Sequence, residues 1–570
     1  MVMEEYGRWL KYATEDGDLI PELRSIEGKQ DEIEDRFAVS LEFGTAGLRG
    51  VIGAGTNRMN IYTVRQATHG LAVYLKKHNK HPKVAISYDS RNKSLEFARA
   101  AAEVLAANGV KAYLYKTLMP TPMLSYAVRK LKCDAGIMVT ASHNPAKYNG
   151  YKAYGPDGCQ MTSESADAVY AEIQKTDVFK DVRHVEFDKG MQEGIIEYIS
   201  SEVIERYYDH VKDRSVRPGV CRGSGLKLVY TPLNGTGNLP VRRILADIGI
   251  EDVTVVPEQE LPDGNFTTCP YPNPEIKQAL QLGLDLAKKT GADLLLATDP
   301  DADRVGIAVR DGGDYLLLSG NEVGVLLLDY ICKGRSEAGT MPQNPVYVRS
   351  IVTTALADEV AKTYGVTPIQ VLTGFKYIGE TILRLEQKGE QNRFVFGFEE
   401  SYGYLAGSYV RDKDAVVASM LICEMAAYYT ANGSSLKAEL DRIYKTYGTY
   451  LHKVDSFEFE GLAGMDKMKQ LMADLRAGAP TQIAGYRVVR VEDYARSVST
   501  DTATGEETPI DLPKADVLTY HLDCGASVIV RPSGTEPKIK TYYSAKGESH
   551  EAAAALQQKL AAAVNAMLGF

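Results

Sequence analysis

The chain has 570 residues, 44% of them hydrophobic and 25% charged, which is ordinary for a folded protein but too long for one hydrophobic core. The 65 basic and 75 acidic residues give a net charge of -10, and no basic block is long enough to indicate a nucleic-acid surface. We therefore expect several domains, in which any anionic ligand is held by local positive groups.

The first residues, MVMEEYGRWLKYATEDGD, carry acids where a secretion signal needs positive charge followed by an apolar segment. Apolar runs such as VGVLLLDYIC fall well short of the roughly 20 residues that a membrane-spanning helix needs. The 7 cysteines are scattered and form no Cys-x-x-Cys pair, a pattern typical of reduced thiols. The sequence thus predicts a cytoplasmic protein with no membrane or nucleic-acid partner.

One pattern occurs three times along the chain. Segments that begin at Lys83, Lys227 and Pro345 each place a β-branched and aromatic run before a polar turn and a helical stretch. A second run typical of a buried strand follows each of them: AGIMVTASHNP, ADLLLATDPDADR and RFVFGFEESYGY. Strands that alternate with helices indicate βαβ units, so we predict three related α/β domains with mixed, mostly parallel sheets. Ligands of such sheets bind beyond the carboxyl ends of the strands, where the three polar loops lie.

Polar stretches that contain glycine or proline separate these repeats, and we interpret them as domain breaks. The last region combines a helical stretch, several strands and an alanine-rich terminal helix, which indicates a smaller C-terminal α+β domain. The four predicted domains are 1–215 with an N-terminal helical leader, 222–335, 343–449 and 455–570.

The loop VTASHNPAKYNGYKAY contains Ser142. Taken alone, it is explained equally well as a turn at Asn144-Pro145 in which Ser142 satisfies a backbone donor. No Gly-x-Ser-x-Gly nucleophile elbow, Walker A loop or Gly-x-Gly-x-x-Gly motif occurs in the chain. A serine on one strand-end loop and a carboxylate-bound cation on the next together favour phosphoryl transfer, with Ser142 as nucleophile.

The second loop, DPDADR, places three aspartates at alternate positions. In an extended loop Asp299, Asp301 and Asp303 project to the same side, where their carboxylates converge. Oxygen-only ligation suits Mg²⁺ better than zinc. A calcium loop of the EF-hand type does not fit, because Arg304 and Arg310 stand where that loop has glycine and glutamate. The other alternative is an acidic surface turn, which the buried-type strand ADLLLAT directly before the loop disfavours.

Three further loops carry groups that suit a sugar phosphate. EFGTAGLRG ends in an arginine after glycines, which alone is a weak sign of phosphate binding. In GFEESYGY a carboxylate and a hydroxyl two residues apart suit adjacent sugar hydroxyls, and RDKD adds cations nearby. RPSGTEPKIK has the composition of a phosphate cradle. Taken singly, each of these loops also fits a solvated polar turn or hairpin.

These motifs resemble those of a known family, the α-D-phosphohexomutases, which includes phosphoglucomutases and phosphomannomutases. FGTAGLRG, TASHNP, DPDADR, FEESYG and RPSGTEP occur here in the family's order and span nearly the whole chain. The resemblance implies three related α/β domains and a smaller phosphate-binding one. It also implies an isomerase that interconverts glucose 1-phosphate and glucose 6-phosphate through a phosphoserine and a glucose 1,6-bisphosphate intermediate.

The resemblance also implies roles for individual residues. Ser142 would carry the phosphoryl group, and one Mg²⁺ per chain would be held by Ser142, Asp299, Asp301 and Asp303. Lys152 would be the general base, which requires that burial or neighbouring cations depress its pKa. The catalytic residues implied are Ser142, His143, Lys152 and Arg49. The substrate-binding residues implied are Arg304, Lys376, Glu399, Ser401, Lys413, Arg531, Ser533, Gly534 and Thr535.

Two departures from the family's patterns bear on the substrate. Tyr402-Gly403 follows the serine where dual-specificity members carry Gly-Glu-x-Ser-Gly-His, and this resembles phosphoglucomutase loops. The helical leader of roughly 40 residues resembles a longer branch of the family, some members of which prefer pentose phosphates. A phosphopentomutase or phosphomannomutase with the same mechanism is therefore the alternative. We expect glucose 1,6-bisphosphate as activator, and the oligomeric state, monomer or dimer, stays open.

Overall fold

The computed structural model describes residues 2–44, 47–459, 463–533 and 538–570. Within these ranges the chain forms four sheets, each built from one continuous stretch of sequence. Three mixed sheets flanked by helices and a smaller C-terminal unit confirm the predicted fold class. None of the described helices is long and apolar enough to cross a lipid bilayer.

The first unit contains a leader of three helices and a six-stranded sheet. Its elements are α1 (Val2–Tyr12), α2 (Leu19–Ser25), α3 (Gln30–Phe37), β1 (Leu48–Val51), α4 (Ile61–His78), β2 (Lys83–Tyr88), α5 (Ser94–Ala107), β3 (Lys111–Leu114), α6 (Thr121–Lys130), β4 (Ala135–Val139), β5 (Tyr148–Tyr154), α7 (Ser163–Ile173), α8 (Phe187–Gln192), β6 (Ile196–Tyr198) and α9 (Ser201–Lys212). The strand order is β1-β5-β4-β2-β3-β6. Strand β5 runs antiparallel to both of its neighbours, and the other pairs are parallel.

The second unit has a five-stranded sheet in the order β11-β10-β9-β7-β8. Its elements are β7 (Lys227–Thr231), α10 (Asn238–Ile248), β8 (Asp252–Val255), α11 (Pro257–Glu260), a 3₁₀ turn (Lys277–Leu280), α12 (Gln281–Thr290), β9 (Leu294–Thr298), β10 (Val305–Asp311) and β11 (Asp314–Leu318). Strand β10 runs antiparallel to β9 and β11.

The third unit has a four-stranded sheet in the order β13-β12-β14-β15. Its elements are α13 (Gly320–Glu337), β12 (Val346–Ser350), α14 (Leu356–Thr363), β13 (Thr367–Val371), α15 (Phe375–Gln387), a 3₁₀ turn (Gln391–Arg393), β14 (Phe394–Glu399), β15 (Gly403–Ala406), α16 (Ala415–Ala431) and α17 (Leu436–Tyr447). All but the last two residues of helix α13 lie within the range predicted for the second domain, yet the helix packs against β14 and α14.

The fourth unit is antiparallel, with the strand order β16-β23-β22-β21-β18-β19-β20. Its elements are β16 (Thr449–Glu458), α18 (Ala463–Ala477), β17 (Gln482–Ile483), β18 (Tyr486–Asp493), β19 (Val498–Asp501), β20 (Glu507–Pro509), β21 (Leu518–Leu522), β22 (Ser527–Pro532), β23 (Lys538–Gly547) and α19 (His550–Leu568). Strand β17 pairs with β18 beside this path.

The threefold pattern predicted from the sequence corresponds to one strand arrangement in the first three units. The opening strands β2, β7 and β12 pair in parallel with β4, β9 and β14. Each of the latter then turns into an antiparallel return strand, β5, β10 or β15. One continuous hydrophobic cluster contains residues of all three units, whereas the fourth has a cluster of its own. The loops between these strand pairs therefore lie on a common packed body.

Candidate functional site

The three loops share a backbone feature. Each contains a non-glycine residue with positive φ: Ser142 at 54°, Ala302 at 49° and Tyr402 at 66°. A left-handed conformation costs such a residue on the order of 1–2 kcal/mol, so tertiary contacts must maintain each turn. The repeat seen in the sequence thus extends to the loop backbone.

Ser142 lies where the first and second units meet and is 4% exposed. Its Oγ is 3.2 Å from Asp299 Oδ2 and 3.2 Å from His143 Nδ1. Its backbone N–H donates to Thr140 Oγ1 at 2.8 Å. The turn considered as an alternative is therefore present, but it uses the backbone and leaves the hydroxyl in contact with the aspartate loop.

Arg91 holds the serine loop in place. Its guanidinium is buried and pairs through Nε with Asp89 at 3.2 Å. The same group donates to four backbone carbonyls of the loop: Ser142 at 2.5 Å, Asn144 at 2.5 Å, Pro145 at 3.1 Å and Tyr148 at 3.2 Å. A single planar fork thus fixes the backbone on both sides of the nucleophile candidate.

Asp299, Asp301 and Asp303 each offer a carboxylate oxygen within 4.8 Å of the others, and within the described ranges no other group of three such ligands occurs. All three side chains are buried. Asp301 Oδ1 and Asp303 Oδ1 have no hydrogen-bond partner among the described residues. Burial, reinforced by its two neighbours, raises the pKa of Asp299 well above its usual value. A buried, oxygen-only set in which two carboxylate oxygens have no such partner fits a hard dication such as Mg²⁺.

Two lysines from other units flank the aspartate loop. Lys152 Nζ, on β5, is 2.8 Å from Asp301 Oδ2 and 3.6 Å from Asp303 Oδ2. Lys413 Nζ, just before α16, is 3.2 Å from Asp303 Oδ2. Burial opposes the charge on Lys152, but the two aspartates outweigh it and raise its pKa. The expected depression of the Lys152 pKa is therefore wrong for this arrangement, because the nearest charges are carboxylates.

His143 and two arginines surround the serine on the side of the cleft. Burial, followed by the charges of Arg304 and Arg49, lowers the pKa of His143 well below its ordinary value. A neutral imidazole therefore stands beside the Ser142 hydroxyl. The Arg304 guanidinium pairs with Glu275 at 2.5 Å.

In the third loop, the two glutamates accept hydrogen bonds from residues outside the loop. Glu399 is buried, and its Oε1 accepts from the Gly374 N–H at 2.8 Å. Glu400 accepts from Thr353 Oγ1 at 3.2 Å. Burial, with a further contribution from Glu399, raises the pKa of Glu400 to about 7.

The fourth unit contributes positively charged side chains on β22 and β23. Arg531 on β22 lies opposite Lys540 on β23. Burial, then Lys538 and Arg531, lowers the pKa of Lys540. The Ser533 N–H donates to the Lys538 carbonyl at 2.8 Å. Gly534 and Thr535 lie outside the described residues.

A cavity of about 820 Å³ connects these groups. Residues from all four units line it, among them Arg49, His143, Arg304, Ser401, Arg531 and Ser533. Two of its lining residues, His143 and Arg304, directly follow the buried Ser142 and Asp303 in the chain, so the serine and aspartate loops adjoin the cavity. The cleft is thus bounded by cations from the first, second and fourth units.

Lys376, predicted to bind the substrate, lies away from this cleft. It lines a separate cavity of about 720 Å³, with its ammonium 5.0 Å from the centre of the Tyr377 ring. Its carbonyl accepts from Cys159 Sγ at 3.4 Å. The cleft is lined by Thr373 instead, because the chain turns at Gly374 before Lys376 enters α15.

Four polar residues at the site were not predicted: Arg91, Glu275, Asp412 and Lys540. Arg91, Asp412 and Lys540 lie in the polar runs SYDSR, RDKD and RPSGTEPKIK, which follow buried strands or belong to the motifs described above. That position is the sequence feature from which they could have been predicted. Glu275 follows Asn273-Pro274 in an irregular stretch with no such signal.

Known proteins resemble this chain over nearly its whole length. Profiles of the phosphoglucomutase/phosphomannomutase alpha/beta/alpha domains I, II and III match residues 40–179, 205–313 and 319–447, and that of the C-terminal domain matches 468–563. A phosphoglucomutase of Staphylococcus epidermidis is 40% identical over 517 residues, which are 90% of this chain and 92% of that protein.

Solved structures agree. A Thermus thermophilus protein described as a phosphomannomutase is 25% identical, with a TM-score of 0.69, and the match covers 93% of this chain and 100% of that one. The open form of parafusin, a phosphoglucomutase from Paramecium, shares the fold with a TM-score of 0.70 at 17% identity, over 93% and 96% of the two chains. The cleft, the serine and aspartate loops and these likenesses together show that the chain belongs to the phosphoglucomutase/phosphomannomutase family of isomerases.

Proposed function

We propose that this mutase interconverts glucose 1-phosphate and glucose 6-phosphate. The observation that carries the proposal is the Ser142 hydroxyl, 3.2 Å from Asp299 of a buried aspartate group and beneath a cleft bounded by cations. Relatives named phosphoglucomutase at 40% identity support glucose as the sugar.

The chemistry is a transfer in two directions. In the phosphorylated enzyme the bond from Ser142 Oγ to phosphorus breaks while a bond from the free sugar hydroxyl to phosphorus forms, which yields glucose 1,6-bisphosphate. The sugar hydroxyl gives its proton to the enzyme, and the neutral His143, whose Nδ1 lies 3.2 Å from Ser142 Oγ, is the side chain that can hold it. The bisphosphate then reverses its orientation, and its other phosphoryl group returns to Ser142.

The aspartates fit a resident cation. Asp299, Asp301 and Asp303, with an oxygen on Ser142, would hold one Mg²⁺. When bound, Mg²⁺ supplies charge that offsets the negative phosphoryl group during transfer. Lys152, Lys413 and Arg49 supply further positive charge from the first and third units.

The remaining predicted residues bind the substrate. Arg531 and Ser533, with Gly534 and Thr535, anchor the phosphate that does not react. Arg304 orients the phosphoserine, and Glu399 and Ser401 contact the sugar. Lys540, opposite Arg531, adds to the anchor. Because one anchor serves both orientations of the bisphosphate, the same residues act in both half-reactions.

The proposal extends to the whole molecule. It includes the domain limits 1–215, 222–335, 343–449 and 455–570, with helix α13 assigned to the third domain by its packing, and glucose 1,6-bisphosphate as the activator. It also includes a cytoplasmic location, which is supported by the unpaired state of all seven cysteines.

The test is a comparison of kcat/KM for glucose, ribose and mannose 1-phosphates, with and without added glucose 1,6-bisphosphate. The proposal expects the highest value with glucose 1-phosphate and a strict need for the bisphosphate or prior phosphorylation. A higher value with ribose 1-phosphate would replace it with phosphopentomutase activity. Release of inorganic phosphate in excess of isomer would contradict mutase chemistry.

A further inference from the structure

Tyr154 and Asp412 form a buried connection between the first and third units, beside the aspartate loop. The Tyr154 hydroxyl donates to Asp412 Oδ2 at 2.8 Å. Asp412 Oδ1 in turn accepts from Lys413 Nζ at 3.2 Å. Tyr154 is 0% exposed and Asp412 2% exposed, so solvent does not compete for these bonds.

The pair Tyr154 and Asp412 is linked to both lysines that flank the aspartate loop, Lys152 and Lys413. Tyr154 and Lys152 are two residues apart on β5 and project to the same side of the strand. Lys152 contacts Asp301 and Asp303, and Lys413 contacts Asp303. Strand β5 therefore sets the position of Lys152 directly and that of Lys413 through Asp412.

The surroundings leave Lys413 little freedom to adjust. A Cβ at Gly403 would lie 2.1 Å from Lys413 Cδ, so the aliphatic stem runs against the backbone of β15. The Ala415 N–H donates to the Ala302 carbonyl at 3.2 Å, which ties the end of this segment to the aspartate loop. A small displacement of the Asp412 carboxylate therefore moves Lys413 Nζ, while the Lys413 backbone and aliphatic stem stay in place.

We propose that Tyr154 and Asp412 are positioning residues that hold Lys413 at a set distance from Asp303 and from Lys152. Within the described part of the chain, no hydrogen bond or ion pair joins either residue to Asp299, Asp301 or Asp303. The inference rests on the proposed mutase chemistry, in which both lysines supply charge during phosphoryl transfer. Without the Tyr154 hydroxyl, Asp412 Oδ2 loses its donor, and among the described residues the carboxylate is then held only at Oδ1, by the Lys413 N–H at 2.8 Å and Lys413 Nζ at 3.2 Å. The carboxylate can then turn about Oδ1, which takes Lys413 Nζ from its place.

The variants that test this are Tyr154→Phe and Asp412→Asn, with Tyr207→Phe as the matched control. Tyr207 is equally buried, comes from the first unit and donates to Asp414 at 2.9 Å, two residues after Asp412. Asp414 keeps its bonds from Tyr409 and from the Val416 and Val417 N–H groups, and none of these reaches Lys413. The control thus removes the same kind of bond without disturbing the lysine.

Steady-state kinetics of the purified Mg²⁺-loaded enzymes, together with their crystal structures, give the result. We expect Tyr154→Phe and Asp412→Asn to lower kcat about 10- to 100-fold, with KM near the wild-type value, while Tyr207→Phe stays within about twofold. The crystal structure of Tyr154→Phe should show Lys413 Nζ beyond hydrogen-bonding distance of Asp412.

Equal kcat in Tyr154→Phe and Tyr207→Phe, or an unmoved Lys413, would overturn the inference. If Tyr154→Phe does not fold, Asp412→Asn decides by the same comparison with Tyr207→Phe. An inactive wild-type enzyme would instead contradict the mutase function, and the crystal structures would then decide the positioning role on their own.

Discussion

Ser142 combines a strained backbone with a hydroxyl that two units share. Its φ of 54° is unfavourable for a residue with a Cβ, and Arg91 supplies the contacts that maintain it. The chemistry of Ser142 could be predicted from its motif. The role of Arg91 could not, because a side chain that binds backbone carbonyls leaves no spacing pattern between itself and its partners.

Arg91→Lys should lower kcat about 10- to 100-fold, because a single ammonium cannot reach four carbonyls at once. Steady-state kinetics at saturating substrate provide the measurement. Arg99→Lys is the control, since Arg99 lies 5.0 Å from the Phe187 ring centre, also in the first unit, and that contact does not involve the serine loop. Equal kcat in the two variants would show that the loop needs no such fork.

Glu400 should make stability depend on pH. Its folded-state pKa of about 7 lies above the ordinary 4.5. The folded protein therefore holds the proton more tightly, and stability falls as pH rises from 4.5 towards 7. Glu400→Gln should reduce this decrease in the free energy of unfolding by about 1 to 2 kcal/mol. Thermal denaturation of this variant between those two pH values measures the change, with Glu359→Gln on α14, whose side chain is 44% exposed, as the control. An unchanged pH slope in Glu400→Gln would contradict the raised pKa.

The leader helices α1 to α3 form an element of their own that buttresses the first unit. Trp9 is 0% exposed and packs edge-on against Phe37, Tyr62 and Phe179, with ring centres 5.4 to 6.0 Å apart. Glu22 accepts from the Ala54 N–H at 2.9 Å and so holds the turn that follows β1. The leader thereby supports the strand that carries Arg49.

Phe37→Ala should destabilise this element by about 3 to 5 kcal/mol, because it leaves a cavity beside Trp9. Trp9 is the only tryptophan in the sequence, so its fluorescence during urea denaturation reports on the leader directly. The urea midpoint should fall in Phe37→Ala and stay at the wild-type value in Val39→Ala, whose side chain is 59% exposed. Equal midpoints would mean that the leader is held by something other than this aromatic cluster.

The elements themselves were predictable where their pattern is local. The buried strands β4, β9 and β14 are continuous apolar runs that end in a polar loop, and the sequence shows both features. Helix α13 was harder to place, because its 18 residues follow the second sheet in sequence and pack on the third in space. Sequence proximity does not decide which sheet a helix covers.

At the scale of the whole molecule, the aspartate loop is held by both of its neighbours. The Thr121 N–H of the first unit donates to the Asp301 carbonyl at 3.0 Å, and the Val305 N–H donates to the Tyr402 carbonyl of the third unit at 3.1 Å. The motifs predicted which loops meet, because each carries part of one chemistry. These backbone contacts between units, and with them the raised pKa of Lys152, depend on packing that no local pattern encodes.

In the proposed mechanism, Ser142 carries the phosphoryl group between two positions of the sugar. Intact-mass spectrometry tests it most directly, on wild-type protein and Ser142→Ala incubated with glucose 1,6-bisphosphate and then with glucose 1-phosphate. Wild type should gain one phosphoryl group in the first step and lose it in the second, while Ser142→Ala should gain none. A phosphoryl group on Ser142→Ala, or full mutase turnover without one on wild type, would contradict it.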